Sequence, residues 1–288
     1  MKLEKEKWFK NEFEDICKNS PEKTRRTLEM AQEKGASSWL SALPVQRLGY
    51  TLNKREFRDA VFLRFDWKIP DTPKFCGCGK RNSVDHILTC AVGGYVIMRH
   101  NSLRDSEAEI MRNVARDVQV EPGLIPVGGE KISGKQADGA RLDISAKGIW
   151  GPCDKTFFDI RVTHPNADSQ KHLPLEKIHA NHEASKKSDY NERVIQIEKA
   201  TFTPLVFTTS GGMGPECDRL NKRLAELLSL KTGEKYCHVV RHMRTRLRFA
   251  LLRSVLAAVR GVRGKQPADI ECPREISYNL IPEAKCYV

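Results

Sequence analysis

The stretch FCGCGKRNSVDHILTC, residues 75–90, places Cys76, Cys78, His86 and Cys90 within sixteen positions. The spacing is C-x-C-x7-H-x3-C, and three thiols with one imidazole suit a closed tetrahedral zinc site of the structural kind. Such a site forces four side chains to converge on one point. Gly77 and Gly79 flank Cys78 and permit a tight turn. Ser83 has the chemistry of a helix N-cap, and a short helix after it carries His86 and Cys90 at i and i+4, on one face. The competing reading is a pair of loop thiols beside a core histidine. A redox pair is disfavoured because the chain contains no C-x-x-C. The other cysteines, at 17, 153, 217, 237, 272 and 286, lack such company and read as small hydrophobes.

Nine cysteines, an odd number, fit metal ligation plus free thiols better than a disulfide framework. The N-terminus MKLEKEKWFKNEFED is charged and has no apolar run of the secretory kind. No window approaches the eighteen apolar residues of a membrane span, so a reducing, intracellular setting is expected. At 288 residues the chain is long enough for a large core. Its net charge of +12 favours a polyanionic partner, nucleic acid being the usual one.

Elements read from periodicity give a mostly helical segment over residues 1–66. Ser20-Pro21 starts a helix that stops near Gly35, and Asn53 with Glu56 reads as a capping box. A helix follows near 99–118, then strands near 118–120, 140–146 and 156–163, a helix over 174–198 and a strand in TPLVFTTSGGMG. Two further helices span 215–230 and 236–261. The order predicts a mixed α/β fold, a sheet flanked by helices. Four segments are expected: 1–72 helical, 73–95 the metal knuckle, 96–264 the main domain and 265–288 a loose tail.

Asp143 in ARLDIS and Asp159 in FFDIRV fall in neighbouring strands with fifteen residues between them. If those strands form a hairpin, the two carboxylates meet at one sheet edge. A carboxylate pair is what Mg2+ or Mn2+ needs, with water and phosphate oxygens completing the shell. Strand-end glutamates such as Glu121, in VQVEPG, are more often simply exposed. His182-Glu183 fails as a zinc-protease motif because position 186 is Lys, and His164, His172 and His179 read as surface histidines. Ser210-Gly211-Gly212-Met213-Gly214 lies between a strand and a helix but lacks the Lys-Ser/Thr of a P-loop, so it reads as a turn.

The run RHN, then EP, then an Asp-bearing strand, then FFDIRV, all after a C-C-H-C knuckle, resembles the restriction-like endonuclease of early-branching non-LTR retrotransposons. That family belongs to the PD-(D/E)XK nucleases. The resemblance covers roughly 70–215. It implies a restriction-endonuclease-like αβββαβ core, with Asp143 as the first acid, Asp159 as the second and Glu121 as a third carboxylate. It implies that Arg99, His100 and Asn101 match the family's Arg/Lys-His-Asn signature on the nucleic-acid side. Two departures stand out: Leu142 replaces the proline before the first acid, and Arg161 replaces the lysine two residues after the second. An arginine stays protonated and cannot act as a base, so Arg161 is left a phosphate contact. The family's displaced helical lysine, often near a tyrosine, corresponds to Lys186 or Lys187 with Tyr190, and Lys187 is favoured.

No acidic residue occurs between Glu234 and Asp269, while Arg241, Arg244 and Arg248 fall off the apolar stripe of the last helix. That helix is expected to dock by its stripe and offer guanidinium groups to phosphates. The expected activity is Mg2+- or Mn2+-dependent DNA cleavage, with a structural Zn2+, DNA or RNA as partner, no membrane and a nuclear location. The competing expectation is an inactive, zinc-stabilised nucleic-acid-binding protein.

Overall fold

The computed structural model describes residues 2–125 and 140–261. Arg263, Lys265, Cys272, Cys286 and the 265–288 tail lie outside the described residues.

Among the described residues, eight α-helices and four strands run in the order α1 (Lys2–Lys18), α2 (Glu22–Gln32), α3 (Lys54–Arg64), α4 (Val84–Thr89), α5 (Tyr95–Arg112), β1 (Arg116–Val120), β2 (Ile144–Lys147), β3 (Lys155–Thr163), α6 (Leu175–Gln196), β4 (Thr201–Thr208), α7 (Pro215–Thr232) and α8 (Tyr236–Arg260). Short 3-10 turns at Ser38–Leu40 and Gln46–Leu48 bridge α2 to α3. The capping box read at Asn53 is present. Its side chain accepts from the Arg55 and Glu56 N–H groups, and Glu56 accepts from the Asn53 N–H at 2.8 Å.

The sheet has order β1-β2-β3-β4. The first three strands are antiparallel; β4 pairs parallel to β3, which demands the crossover that α6 supplies. The fold is therefore the mixed α/β arrangement expected, with α5-β1-β2-β3-α6-β4 at its centre and a helical N-terminal region.

Alternation along β3 sorts its two faces. Phe158 and Ile160 enter the main core with Leu103 and Met111 of α5, Leu220 of α7 and Leu247 of α8. Phe157 turns the other way, to Val194, Ala200 and Phe202 beside α6. Asp159 shares that second face. β3 is thus covered on both sides, and the one polar position in its middle is left beneath α6.

Helix α8 is the central strut. Val239, Met243 and Leu247 reach the main core; Val255 and Val259 pack on Ile87 and Leu88 of α4; Phe249, Leu252 and Leu256 pack on Trp39, Tyr50 and Ala60 of the N-terminal region.

A carboxyl group is sealed inside this core. Glu107 of α5 is fully buried; its Oε1 accepts from Asn221 Nδ2 at 3.2 Å, while Glu107 Oε2 and Asn221 Oδ1 lack partners. Burial pushes its pKa up to about 7, against the pull of Asn221 and Arg246. A proton on the carboxylate removes the charge that burial penalises. The folded chain then holds a proton that the unfolded chain loses near pH 4.3, so stability falls as pH rises from there to about 7 and is flat above. Glu107→Gln carries that hydrogen permanently. We expect it to leave stability near unchanged at pH 5 and to raise it by up to about 3 kcal/mol at pH 8. Urea denaturation at both pH values tests this; a difference independent of pH would refute it.

Candidate metal centre and carboxylate site

Ser83 caps α4 by accepting from the His86 N–H at 3.1 Å, so the first turn of this short helix aims His86 toward the preceding loop. Cys90 follows the helix as its C-cap rather than lying within it. The Phe75–Arg81 bridge closes the loop bearing Cys76 and Cys78, with Gly79 at φ 85° where a side chain would be strained. The four donor atoms lie within 4.8 Å of one another. Cys76 Sγ and Cys90 Sγ are 3.8 Å apart, and Cys78 Sγ lies 3.2 Å from His86 Nε2. Zn–S bonds near 2.3 Å give a tetrahedral edge of about 3.8 Å; the Cys76–Cys90 pair matches it, and the wider separations, up to 4.8 Å, need to close by about 1 Å around an ion. Burial raises the Cys76 thiol, but hydrogen bonds from the Cys78 backbone, His86 and the other thiols bring it down to about 6. This is the thiolate character a metal ligand needs. Among the described residues it is the one group of three or more His, Cys or acidic donors placed to hold an ion. With four protein donors the site is closed, and it could hold a structural zinc.

The knuckle is keyed into the rest of the molecule. Asp85 bonds His164 Nε2 at 3.0 Å and Lys23 at 3.0 Å. Arg99 bonds the Leu88 carbonyl at 3.0 Å. Here two expectations are corrected. Arg99 is 2% exposed, with burial lowering its pKa to about 10, so it braces α4 from inside and offers nothing to phosphate. His164 and His179 are buried and hydrogen-bonded, not surface histidines. Both sit where strand ends meet helices, a tertiary circumstance with no local pattern.

Asp143 stands one position before β2, and the register that pairs Ile144 with Phe158 leaves it opposite Asp159. Its Oδ2 accepts from the Ile160 N–H at 2.6 Å and meets His100 Nε2 at 3.1 Å. Oδ1 has no partner among the described residues. His100 Nδ1 lies 3.3 Å from Asn101 Oδ1, so both ring nitrogens face acceptors. The hydrogen bond to Asp143 raises the His100 pKa, which favours the imidazolium. Asp159 is 6% exposed, and Lys186 Nζ forms an ion pair with its Oδ2 without a well-directed hydrogen bond. Burial raises the Asp159 carboxyl, Lys186 pulls it back, and the charge of Asp143 raises it again. The two acids thus feel each other, and two cations offset them.

Lys186 and Lys187 part company. Lys186 turns to Asp159 and lies 5.5 Å from the Tyr190 ring, whereas Lys187 bonds Glu216 at the start of α7, 2.5 Å away. The preference for Lys187 is corrected in favour of Lys186; neighbours on a helix point about 100° apart, and only one can face the sheet. Burial and the charges of Asp159, Asp189 and Asp143 push Tyr190 to about 12, so its hydroxyl stays protonated at neutral pH. Glu121, at φ 53°, donates its N–H to the Asp143 carbonyl at 2.9 Å, but its carboxylate is held by Arg104 and, at 3.7 Å, by Arg141. Arg104 also acts electrostatically on Asp143; nothing in the local sequence singled it out. Arg161 shares the Asp159 face of β3, is exposed, and has no acidic partner among the described residues.

The basic face expected on α8 is mostly spent internally. Arg244 pairs with Asp218 at 2.7 Å, Arg246 with Glu109, and Arg260 with Asp59. Arg248 bonds the Ala36 carbonyl at 2.7 Å, and burial lowers its pKa to about 9. Arg253 bonds the Gly49 and Thr51 carbonyls. The acids that answer these arginines come from other elements, so their absence along the helix was no guide. Arg241 is exposed and bonds the Ser41 carbonyl at 2.8 Å. The glycine loop at 210–214 is a turn, its N–H groups answered by Thr208 and Val206.

No helix among the described residues is long and apolar enough to cross a membrane. No protein-family model matches the chain, and no curated protein matches it.

Proposed function

We propose that the protein is a divalent-metal-dependent DNA endonuclease of the restriction-endonuclease-like, PD-(D/E)XK kind, similar to the nuclease of early-branching non-LTR retrotransposon proteins. The observation that carries this reading is the juxtaposition of Asp143 and Asp159 on facing strand positions, with Lys186 of the crossover helix at Asp159. The αβββαβ order that places them there supports it.

Asp143 Oδ1 and the Asp159 carboxylate are the oxygens that would hold Mg2+ or Mn2+, and their hard, anionic character fits either ion. When bound, such an ion lowers the pKa of its water and offsets charge on the phosphate. The chain's own groups do the rest. The Ile160 N–H and His100 hold Asp143 in place. Lys186 is set to orient the attacking water or to offset charge as it develops. Arg161 presents a guanidinium beside the site to a neighbouring phosphate. The Cys76–Cys78–His86–Cys90 set, with zinc, holds the knuckle against α5 and α8. A DNA substrate would place the protein in the nucleus.

The test is nicking of supercoiled plasmid with Mg2+ or Mn2+. Asp143→Asn and Asp159→Asn, near-isosteric changes, should each lower the rate about a thousandfold, the several kcal/mol expected of metal charge stabilisation. Lys186→Ala should lower it by about a hundredfold or more, and Lys187→Ala should not. Equal nicking by all variants would refute the reading. One observation favours the alternative of a zinc-stabilised binding protein without catalysis: Lys186 already neutralises Asp159. In that case no variant changes nicking and nucleic-acid binding persists.

A further inference from the structure

A second feature lies away from the carboxylates. Between the end of α2, the 3-10 turn after it and the first turns of α8 there is an open cleft of about 640 Å³. Its lining holds four cations, Lys34, Arg64, Arg241 and Arg244, against a single acid, Glu33. Glu33 does not answer them. Its oxygens turn inward, to His179 at 2.7 Å and to Thr208 at 2.9 Å. Neutral oxygens meet two of the cations: Arg64 bonds Ala31 O and Ser37 Oγ, and Arg241 bonds Ser41 O. Just outside the lining, Asp218 is shared by Arg244 at 2.7 Å, Lys222 at 2.8 Å and Lys34 at 4.0 Å. The cleft therefore carries positive charge that the protein itself does not balance.

Two lining donors also lack acceptors. Ser38 Oγ and Arg244 Nε are buried without a hydrogen-bond partner. Buried donors normally find an acceptor, and a phosphate in the cleft reaches either one only if its side chain turns outward. Beside them Tyr236, the first residue of α8, keeps 41% of its surface exposed next to the apolar Val240. Cationic wall plus exposed aromatic ring is the combination that holds unpaired nucleotides, phosphates on the charge and a base on the ring. An acidic peptide would use the cations but has no need of the ring.

The geometry points to this cleft as a binding channel for single-stranded nucleic acid, with Lys34, Arg64 and Arg241 on successive phosphates and Tyr236 stacking on a base. Gly35, at φ 90° where other residues are strained, makes the turn that brings the serines of the 3-10 segment opposite α8. This assigns a role to the N-terminal region, which supplies one wall. It also connects to the carboxylate site. Glu33 bonds His179 on α6, and Lys186 lies seven residues further along that helix, on the order of 10 Å at its rise per residue.

Fluorescence anisotropy with a labelled oligothymidylate of about a dozen nucleotides tests the channel. The full chain carries Asp143→Asn, so binding is read without cleavage. Adding Lys34→Ala and Arg241→Ala should weaken binding about tenfold and flatten the slope of log affinity against log salt by about 1.4, two phosphates' worth on a single strand. Tyr236→Ala should weaken binding about tenfold and leave the slope unchanged. If the alanine pair is unstable, Lys34→Gln with Arg241→Gln reads the same slope. Unchanged affinity and slope would overturn the inference. So would a duplex or a poly-glutamate peptide bound more tightly than the single strand with the same residue dependence. The two readings fail separately. A chain that never nicks plasmid yet shows the slope change keeps the channel and loses the nuclease; one that nicks while the Lys34/Arg241 variant binds single strands normally keeps the nuclease and loses the channel.

Discussion

Removing zinc with a chelator, or replacing Cys90 with Ser, should unfold the knuckle and lower the melting temperature by roughly 10–20 °C. The segment from 74 to 90 has little to order it apart from the ligands. Its regular structure is one six-residue helix and one isolated bridge. A structural zinc contributes on the order of 10 kcal/mol to such a unit. The metal-free chain limits that loss by letting the knuckle go and keeping the sheet. What then disappears is the burial of Ile87 and Leu88 against Val255 and Val259, and the Arg99–Leu88 and Asp85–His164 bonds. Two aliphatic side chains returned to water account for about 5 kcal/mol. At about 2–4 °C per kcal/mol for a chain of this size, the melting shift follows. Hydrogen exchange should show protection lost over 74–90 and the last turns of α8, while β3 and β4 stay protected. A purified chain that binds no zinc, or a Cys90→Ser variant that melts like the parent, would contradict the site.

Asp59→Ala should cost about 3–5 kcal/mol, the largest loss expected from a single side chain outside the knuckle. Asp59 is 1% exposed on α3. Arg260, the last residue of α8, binds it with Nε at 2.5 Å and Nη2 at 2.8 Å, and Arg58 adds a contact at 3.1 Å. Burial alone would raise the Asp59 carboxyl, but the two guanidinium groups outweigh it and hold the pKa below its usual value. A depressed carboxylate pKa contributes stability that is complete above the unfolded value near 3.9 and is lost as pH falls through the folded one. The effect of Asp59→Ala is therefore expected in full at neutral pH. Truncation leaves Arg260 partly buried without an anion, which is the costly outcome; removing both partners with Arg260→Ala should cost less than the sum of the single changes. Denaturant titration of the four chains of this cycle measures the coupling, and additive losses would show that the pair is not the tie we describe.

The size of both effects depends on long-range contacts the sequence did not reveal, the packing of Ile87 and Leu88 on α8 and the tie of Asp59 to Arg260, and the reason is the same for each. The elements themselves were legible, because helices and strands announce themselves by local periodicity, apolar runs and caps: the Asn53–Glu56 box, the Pro21 start and the apolar run near 156–163 all sit where they were read. Ligand convergence at Cys76, Cys78, His86 and Cys90 was legible because three thiols and an imidazole at C-x-C-x7-H-x3-C spacing are the donor types and the reach a tetrahedral site uses. Partner choice over long separations was not. Arg99 looked like a phosphate contact and is a brace under α4. Lys187 was favoured over Lys186 and points to α7 instead. The arginines of α8 looked like a nucleic-acid face, yet Asp218, Glu109 and Asp59 claim three of them from other helices.

The chain by itself thus determined the kind and order of its helices and strands, though the helix read near 99–118 ends at Arg112 and gives way to β1, and it marked a four-donor knot compact enough to close locally. Only the tertiary structure decided where charge is left over. Asp143 and Asp159 face each other because two strands pair in one register out of several, and the unbalanced cleft at Lys34, Arg64 and Arg241 exists because α2 and α8 meet there. Local propensity acts over a few residues, whereas the field at a point sums over every charge the fold brings near, and that sum cannot be formed until the packing is known.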